Sequence, residues 1–245
     1  MAELESGRLR AGGLDMAYDS AGHGSPALVL IHGFMASRAD FQDVLPILGE
    51  RRRAIAYDLR GHGDTSHAPD PASYTLDRLA EDLGQLLDRL GLGRVHLFGH
   101  SMGGMVAHRF ALAAPERVQS LILSSTSAHP VILSRELMMK TPPWLFDRTT
   151  KSWEKVDTQG ALFLRAHFGA VPSLGHSLRS MKCPTLALVG ADDPQFRATI
   201  QEIAREIPEA TLVELEGVGH QPHLEAPGRW VDEVERHLAR CSASG

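Results

Sequence analysis

Short, continuous runs of apolar residues recur along the chain and alternate with longer segments whose apolar positions follow helical spacing. Uninterrupted apolar runs are typical of strands that are buried on both faces of a sheet. Such runs occur at residues 27–31, 121–123 and 186–189, and residues 53–57, 95–98 and 211–215 are similar but include polar residues. Residues 8–19 additionally predict a hairpin of two short strands around Gly12 and Gly13. The pattern therefore predicts a sheet of about eight strands.

Three segments between or after these strands place their apolar residues on one face of a helix. Residues 75–92 do so with a row of leucines, residues 195–207 with Phe196 and three isoleucines, and the residues after Pro227 with Trp230 and its neighbours. Strands that alternate with such helices favour an α/β fold, in which helices cover both faces of a mostly parallel sheet.

The alternation stops between residues 125 and 182. This segment contains no clear strand, and its mixed helical pattern is interrupted by Pro130, Pro142, Pro143 and Pro172. We interpret residues 125–182 as a short helical insertion on top of the sheet. The core domain is then formed by residues 1–124 together with residues 183–245.

Composition excludes several classes of function. The 245-residue chain has a net charge of -5, which disfavours nucleic acid and anionic membranes as partners. No apolar run is long enough for a membrane span, and the polar first residues do not form a signal peptide, so we expect a cytoplasmic protein. Cys183 and Cys241 lack metal-ligand spacing and are expected to be free thiols. No phosphate loop or dinucleotide motif is present, so neither a metal nor an organic cofactor is expected.

A candidate nucleophile lies where a predicted strand passes into a predicted helix, in the sequence Gly99-His100-Ser101-Met102-Gly103. A serine on a sharp strand-to-helix turn projects its hydroxyl above the sheet, in a strained backbone conformation. The chain passes so close on either side that small residues are needed there, and Gly99 and Gly103 meet this requirement. The motif predicts Ser101 as a nucleophile.

A serine hydroxyl needs a base, and the base needs a carboxylate that fixes its tautomer. After such a turn the expected order is serine, acid, histidine. Asp192 and Asp193 follow one strand and are both candidates for the acid, while His220 follows the next strand on a glycine-flanked loop. His223 is a rival base, and a metal site formed by His220 and His223 would lack a third ligand.

With these residues placed, the sequence resembles the α/β-hydrolase superfamily over nearly its whole length. Five blocks carry the resemblance, in order: Ile31-His32-Gly33-Phe34, Asp58-Leu59-Arg60-Gly61-His62-Gly63, the turn at Ser101, Gly190-Ala191-Asp192-Asp193 and Gly219-His220. The resemblance implies that Asp193 is the acid. It also implies that the backbone N–H groups of Phe34 and Met102 form an oxyanion hole, that residues 58–63 form a structural turn, and that residues 125–182 correspond to the family's cap.

Some blocks also resemble the menaquinone-pathway enzymes that eliminate pyruvate, the SHCHC synthase group. That group has an arginine four residues after the nucleophile, where this chain has Met105. Arg135, Arg148 and Arg165 in the cap could supply a positive charge instead. The cap is also rich in apolar residues, which suits an acyl or aromatic substrate.

The sequence leaves three functions open. The first is a serine hydrolase that cleaves a small ester, lactone or thioester, with a small-molecule acyl substrate that the sequence does not identify. The second is a carbon–carbon hydrolase or lyase with the same three residues. The third is a hydrolase-like binding protein with little or no turnover. Epoxide hydrolases and dehalogenases of this fold use an aspartate nucleophile, so Ser101 argues against both.

Overall fold

Eight strands form one sheet in the computed structural model of the chain, which describes residues 1–131 and 155–243. The strands are β1 (Leu4–Ala11), β2 (Leu14–Ala21), β3 (Leu28–Ile31), β4 (Ala54–Tyr57), β5 (Val95–His100), β6 (Val118–Ser124), β7 (Thr185–Gly190) and β8 (Thr211–Leu215). Their order is β1-β2-β4-β3-β5-β6-β7-β8. The pairs β1/β2 and β2/β4 are antiparallel and all other pairs are parallel. The predicted mostly parallel sheet is confirmed.

Helices follow most of these strands. They are α1 (Leu45–Leu48), α2 (Leu76–Arg89), α3 (Met102–Ala113), α4 (Thr158–Ala170), α5 (Gly175–Leu178), α6 (Arg197–Glu206), α7 (Pro222–Glu225) and α8 (Pro227–Ala243). The helix predicted for residues 75–92 begins where Thr75 caps it, because the Thr75 side chain accepts a hydrogen bond from the backbone N–H of Arg78 at 3.2 Å. The helices predicted for residues 195–207 and after Pro227 are also confirmed.

The strands β3 to β7 bury side chains on both faces of the sheet, as their apolar sequences predict, whereas the edge strands β1 and β8 are partly exposed. On one face, Val29 and Ile31 of β3 pack in a cluster with residues of α2, α3 and α6. On the other face, Leu28 and Leu30 of the same strand pack in a cluster with residues of α1 and α8. The alternation along β3 therefore separates two cores, and helices cover both faces.

The chain reverses its direction of winding next to β3. From β3 the chain continues to β4 on one side of it and later to β5 on its other side. The loops that leave β3 and β5 diverge at such a point and open a crevice at the carboxyl edge of the sheet. His32 follows β3, and Ser101 follows β5.

The insertion predicted for residues 125–182 is described at residues 125–131 and 155–182, where it contains α4 and α5 and no strand. Its division from the core stays a prediction. The cap arginines Arg135 and Arg148 lie outside the described residues. Across residues 1–131 and 155–243, no helix is long and apolar enough to cross a lipid bilayer. Cys183 and Cys241 are both buried and free, as predicted.

Buried charges fix the turn that follows β4. The backbone N–H of Arg38 donates to Asp58 Oδ1 at 2.7 Å, and its guanidinium pairs with Asp58, Asp19 and Asp64. Asp58 is fully buried and also accepts a hydrogen bond from the backbone N–H of Asp64 at 2.8 Å. These bonds support the structural role that the family resemblance implies for residues 58–63.

Asp40 gives the fold a pH dependence. Its side chain lies in the 3₁₀ turn Arg38–Phe41, is 5% exposed, and has an oxygen without a partner among the described residues. Burial and the nearby charge of Asp58 raise the pKa of Asp40 from 3.8 to about 7. The folded state therefore holds a proton that the unfolded state releases, and stability falls as the pH rises from about 4 to about 7.

We expect Asp40→Asn, which stays uncharged, to gain stability relative to the native chain across this pH window. The full gain is on the order of 4 kcal/mol above pH 7, at about 1.4 kcal/mol per pKa unit. Urea unfolding at pH 5 and pH 8 measures it as the difference between variant and native chain. Asp43→Asn, at an exposed position next to the same turn, is the control. A difference for Asp40→Asn that does not change with pH would contradict the prediction.

Candidate active site

Ser101 occupies the turn between β5 and α3 in a strained conformation. Its backbone has φ 52° and ψ -117°, a sparsely populated positive-φ conformation that a residue with a Cβ adopts at a cost of about 1–3 kcal/mol. The Ser101 N–H donates to the carbonyl of Ser124 at the end of β6, at 2.9 Å. The turn is therefore held by the neighbouring strand, and the side chain of Ser101 remains partly exposed.

The glycines around Ser101 allow this turn to pack against β3. A Cβ on Gly99 would collide with the carbonyl of Gly103, and a Cβ on Gly103 would collide with the carbonyl of Ile31. The requirement for small residues on either side of Ser101, predicted from the sequence, thus has a physical cause. The same packing brings Ser101 beside the loop that follows β3.

That loop contains Phe34, one of the two residues whose N–H groups the resemblance assigns to an oxyanion hole. A Cβ built on Gly33 would lie 3.4 Å from the Cβ of Ser101. Met102 is the first residue of α3, and N–H groups at this position have no acceptor within the helix. The loop that contains Phe34 therefore lies beside Ser101, and Met102 follows Ser101 at the start of α3.

His32 anchors the same loop, a role that the sequence analysis did not identify. Its Nε2 accepts a hydrogen bond from the backbone N–H of Leu59 at 3.0 Å, so its Nδ1 donates to the carbonyl of Gly33 at 2.8 Å. Burial and the neighbouring His62 hold the pKa of His32 well below its usual range. A neutral His32 thus joins the loops after β3 and β4. In the sequence, only the position of His32 directly after a predicted strand indicates such a role.

Asp193 and His220 form a hydrogen-bonded pair at the ends of β7 and β8. His220 Nδ1 lies 2.9 Å from Asp193 Oδ2. Asp193 Oδ1 accepts hydrogen bonds from the N–H groups of Gln195 at 3.0 Å and Phe196 at 3.1 Å. Burial opposes ionisation of Asp193, but His220 and the two N–H groups outweigh it and lower the pKa of Asp193.

The structure separates the two candidate acids. Asp193 is 1% exposed and bonded to His220, whereas Asp192 is exposed on the surface. The imidazole of His220 stacks on the ring of Phe196, with centroids 5.0 Å apart and an interplanar angle of 23°. Its ring centroid also lies 4.8 Å from that of His100, the residue before Ser101. His220 thus contacts both Asp193 and the residue that precedes Ser101.

His223, the rival base, is buried between aromatic rings. It is 1% exposed, and its ring centroid lies 5.0 Å from that of Phe41 and 4.7 Å from that of His100. Burial and the neighbouring His220 lower the pKa of His223 to about 3, so its ring stays neutral. No group of three or more His, Cys, Asp or Glu within residues 1–131 and 155–243 is arranged to hold a metal ion.

An apolar pocket begins at the side chain of Phe34. It has a volume of about 150 Å³ and is lined by Phe34 and Met35 from the loop after β3 and by Val156, Ala161, Leu162 and Arg165 from the segment around α4. Phe34 also packs edge-on against Phe168 of α4, with ring centroids 5.3 Å apart. Arg165, a cap arginine singled out in the sequence, is therefore near the loop that flanks Ser101.

Thr126 is a second residue whose role the sequence analysis did not identify. Its hydroxyl donates to the backbone carbonyl of Ser101 at 2.6 Å. The signal in the sequence is the run of four hydroxyl residues at 124–127, directly after β6.

Comparison with known proteins finds similar sequences and structures. A family model described as alpha/beta hydrolase fold matches residues 26–156. A Bacillus subtilis protein provisionally named 2-succinyl-6-hydroxy-2,4-cyclohexadiene-1-carboxylate synthase is 28% identical, with 85% of this chain and 89% of that protein covered. The solved structure of a thermophilic esterase from Thermogutta terrifontis is similar with a TM-score of 0.81 and 27% identity, covering 96% of this chain and 99% of the esterase.

A third relative matches over a shorter region. Epoxide hydrolase 2 of Siraitia grosvenorii is 41% identical over 123 residues, which are 50% of this chain and 39% of that protein. The resemblance to the SHCHC synthase group and to esterases of the superfamily is thus found over most of the chain, and the resemblance to this epoxide hydrolase over half of it.

Proposed function

Because a family model matches more than half of it, the chain belongs to the alpha/beta hydrolase fold family, and we propose that it is a serine hydrolase. Its substrate is a small carboxylic ester, lactone or thioester. The observation that carries the proposal is the bond of 2.9 Å between Asp193 and His220 beside the strained turn of Ser101. Strain and paired titratable groups of this kind are concentrated at catalytic sites.

The proposed reaction proceeds through an acyl-enzyme. Ser101 Oγ attacks the substrate carbonyl while His220 Nε2 takes its proton, and Asp193 holds the Nδ1–H of His220. The N–H groups of Phe34 and Met102 donate to the oxygen on which negative charge develops, each worth about 10²–10³ in rate. His220 returns the proton to the leaving group, and water activated by His220 then releases the acyl group from Ser101.

The apolar pocket at Phe34 supports an acyl chain as the recognised part of the substrate. Because Phe34 supplies both a proposed oxyanion donor and a pocket wall, a chain attached to the reacting carbonyl can enter the pocket directly. Each methylene that leaves water contributes about 0.8 kcal/mol, which is about fourfold in kcat/KM. The activity should therefore rise with chain length until the pocket of about 150 Å³ is filled.

The test combines covalent labelling with a substrate series. We expect a fluorophosphonate to inactivate the protein and to add one phosphonyl group to the peptide that contains Ser101, as mass spectrometry will show. Hydrolysis of p-nitrophenyl esters from acetate to octanoate is expected to rise about fourfold per methylene and then level off. Heat-unfolded protein is the control and should not be labelled.

Either of two results would count against this proposal. Labelling of other serines, with Ser101 unmodified, would exclude Ser101 as the nucleophile. Folded protein that neither reacts with the probe nor turns over any ester would favour a ligand-binding role instead.

A lyase of the SHCHC synthase type is the second candidate. It is supported by the Bacillus subtilis relative, because the match covers 89% of that protein. Against it stands Met105, at the position where that group carries its arginine. Met105 is 3% exposed and packs in the core with α2. A buried, apolar residue there does not bind a substrate carboxylate, which favours hydrolysis, and Arg165 at the pocket is the alternative source of the positive charge that a lyase would need.

A further inference from the structure

The peptide unit between Ser101 and Met102 has two polar ends with different partners. If the proposed function holds, its N–H group stabilises negative charge on the substrate. Its carbonyl accepts three hydrogen bonds, from the N–H of Gly104 at 3.0 Å, from the N–H of Met105 at 3.3 Å and from the hydroxyl of Thr126 at 2.6 Å. The hydroxyl of Thr126 is the shortest of these three contacts and comes from outside α3.

Thr126 is fixed from several directions. It is fully buried and follows Ser125, which has a left-handed φ of 46° and donates its N–H to the carbonyl of Leu188 in β7 at 3.0 Å. The carbonyl of Thr126 accepts a hydrogen bond from the hydroxyl of Thr199 on α6 at 2.8 Å. Its own hydroxyl is therefore held at Ser101 by β7 and α6 together.

Gly104 leaves the space that Thr126 needs. A Cβ on Gly104 would lie 2.6 Å from the Cβ and 2.7 Å from the hydroxyl oxygen of Thr126. Any larger residue at position 104 would displace the Thr126 hydroxyl from Ser101. Gly104, the second glycine after Ser101, is not required by the turn itself, and this contact explains it.

We propose that Thr126 is a positioning residue for the oxyanion hole. A peptide unit is planar, so fixing the carbonyl of Ser101 also fixes the direction of the Met102 N–H. A hydrogen bond to the carbonyl polarises the peptide and makes its N–H a stronger donor, because bonds in a chain reinforce one another. Thr126 thereby acts on the transition state through Met102, without touching the substrate.

A purely structural role of Thr126 would have different consequences. Loss of a bond that only stabilises the fold lowers the melting temperature and leaves the rate of the folded fraction unchanged. Loss of a bond that orients an oxyanion donor lowers kcat and leaves KM unchanged, because the interaction is made in the transition state. It also weakens the binding of inhibitors that form a tetrahedral oxyanion with the serine.

The experiment compares Thr126→Val, Thr126→Ser and Thr126→Ala. We expect Thr126→Val to lower kcat about tenfold and to leave KM within about twofold of the native value. The affinity for a trifluoromethyl ketone inhibitor should fall about tenfold as well. Thr126→Ser should restore most of the rate. If Thr126→Val fails to fold, the Ser and Ala variants, which differ by one hydroxyl, give the same comparison.

Ser125→Ala is the matched control, because the Ser125 hydroxyl is buried in the same segment and has no hydrogen-bond partner among the described residues. It should keep the native kcat. The rate of phosphonylation of Ser101 is a second readout that needs no ester turnover, and Thr126→Val should slow it by the same factor as kcat.

The outcomes separate this inference from the proposed function. Unchanged kcat and phosphonylation in Thr126→Val, in an enzyme that depends on Ser101, would overturn the role of Thr126 alone. A loss of rate that Thr126→Ser does not restore would overturn it as well. Absence of both reactions in the native protein would overturn the proposed function and this inference with it.

Discussion

Replacing Ser101 by alanine is expected to abolish ester hydrolysis, with a loss of about 10⁴-fold or more in kcat/KM. The variant lacks the atom that attacks the carbonyl, while the proposed oxyanion donors and His220 remain in place. Fluorophosphonate labelling of the peptide that contains Ser101 should disappear in parallel. Hydrolysis rates of purified native and Ser101→Ala protein, measured with the preferred p-nitrophenyl ester, provide the measurement.

The melting temperature shows whether this loss is chemical. Ser101→Ala keeps the Cβ and therefore the strain of the positive-φ turn, so its stability should match that of the native chain. Ser101→Gly should be more stable by about 1 kcal/mol, because glycine adopts φ 52° without the steric penalty of a Cβ. A Ser101→Ala variant that keeps more than a tenth of the native activity would exclude Ser101 as the nucleophile.

The fold could be predicted largely because strands that are buried on both faces have apolar residues at consecutive positions. Mainly apolar runs located β3, β4, β5 and β7 to within a few residues, and β8 was located as well although it is only partly buried. The predicted strand boundaries were wrong where polar residues interrupt the apolar run. β6 begins at Val118 rather than at residue 121, because Gln119 and Ser120 interrupt its apolar run. β1 extends from Leu4 to Ala11, since an edge strand with one exposed face does not need apolar residues.

In the candidate site, hydrogen bonds that depend on three-dimensional packing could not be predicted from the sequence. The turn at Ser101 could be recognised, because its geometry dictates glycines at fixed distances along the chain. The bonds of His32 to Leu59 and of Thr126 to Ser101 join loops that are 25 or more residues apart. Histidine and threonine are compatible with many environments, so neither residue type indicates its partner.

The choice between Asp192 and Asp193 shows the same limit at one position. Their side chains are adjacent in the sequence and chemically identical, and the family resemblance alone favoured Asp193. In the structure the turn after β7 buries Asp193 against His220 and leaves Asp192 exposed. The conformation of this turn favours Asp193 as the proposed acid, and the residue chemistry of Gly190-Ala191-Asp192-Asp193 does not specify that conformation.

If Asp193 is the acid, the same substitution at Asp193 and at Asp192 should have very different effects on kcat. Asp193→Asn should lower kcat about 10⁴-fold, whereas Asp192→Asn should change it less than about twofold. The N–H groups of Gln195 and Phe196 bond Oδ1 of Asp193 and will hold the amide oxygen of the asparagine in the same place. The amide NH₂ then faces His220 Nδ1 and donates to it.

His220 is thereby forced into the tautomer that carries its proton on Nε2, and this nitrogen no longer accepts the proton of Ser101. The loss should appear in kcat with little change in KM, because substrate binding does not depend on the tautomer. Steady-state kinetics of both variants, with melting temperatures as the check on folding, measure the difference. A large loss in Asp192→Asn, or equal losses in both variants, would show that Asp193 does not act alone as the partner of His220.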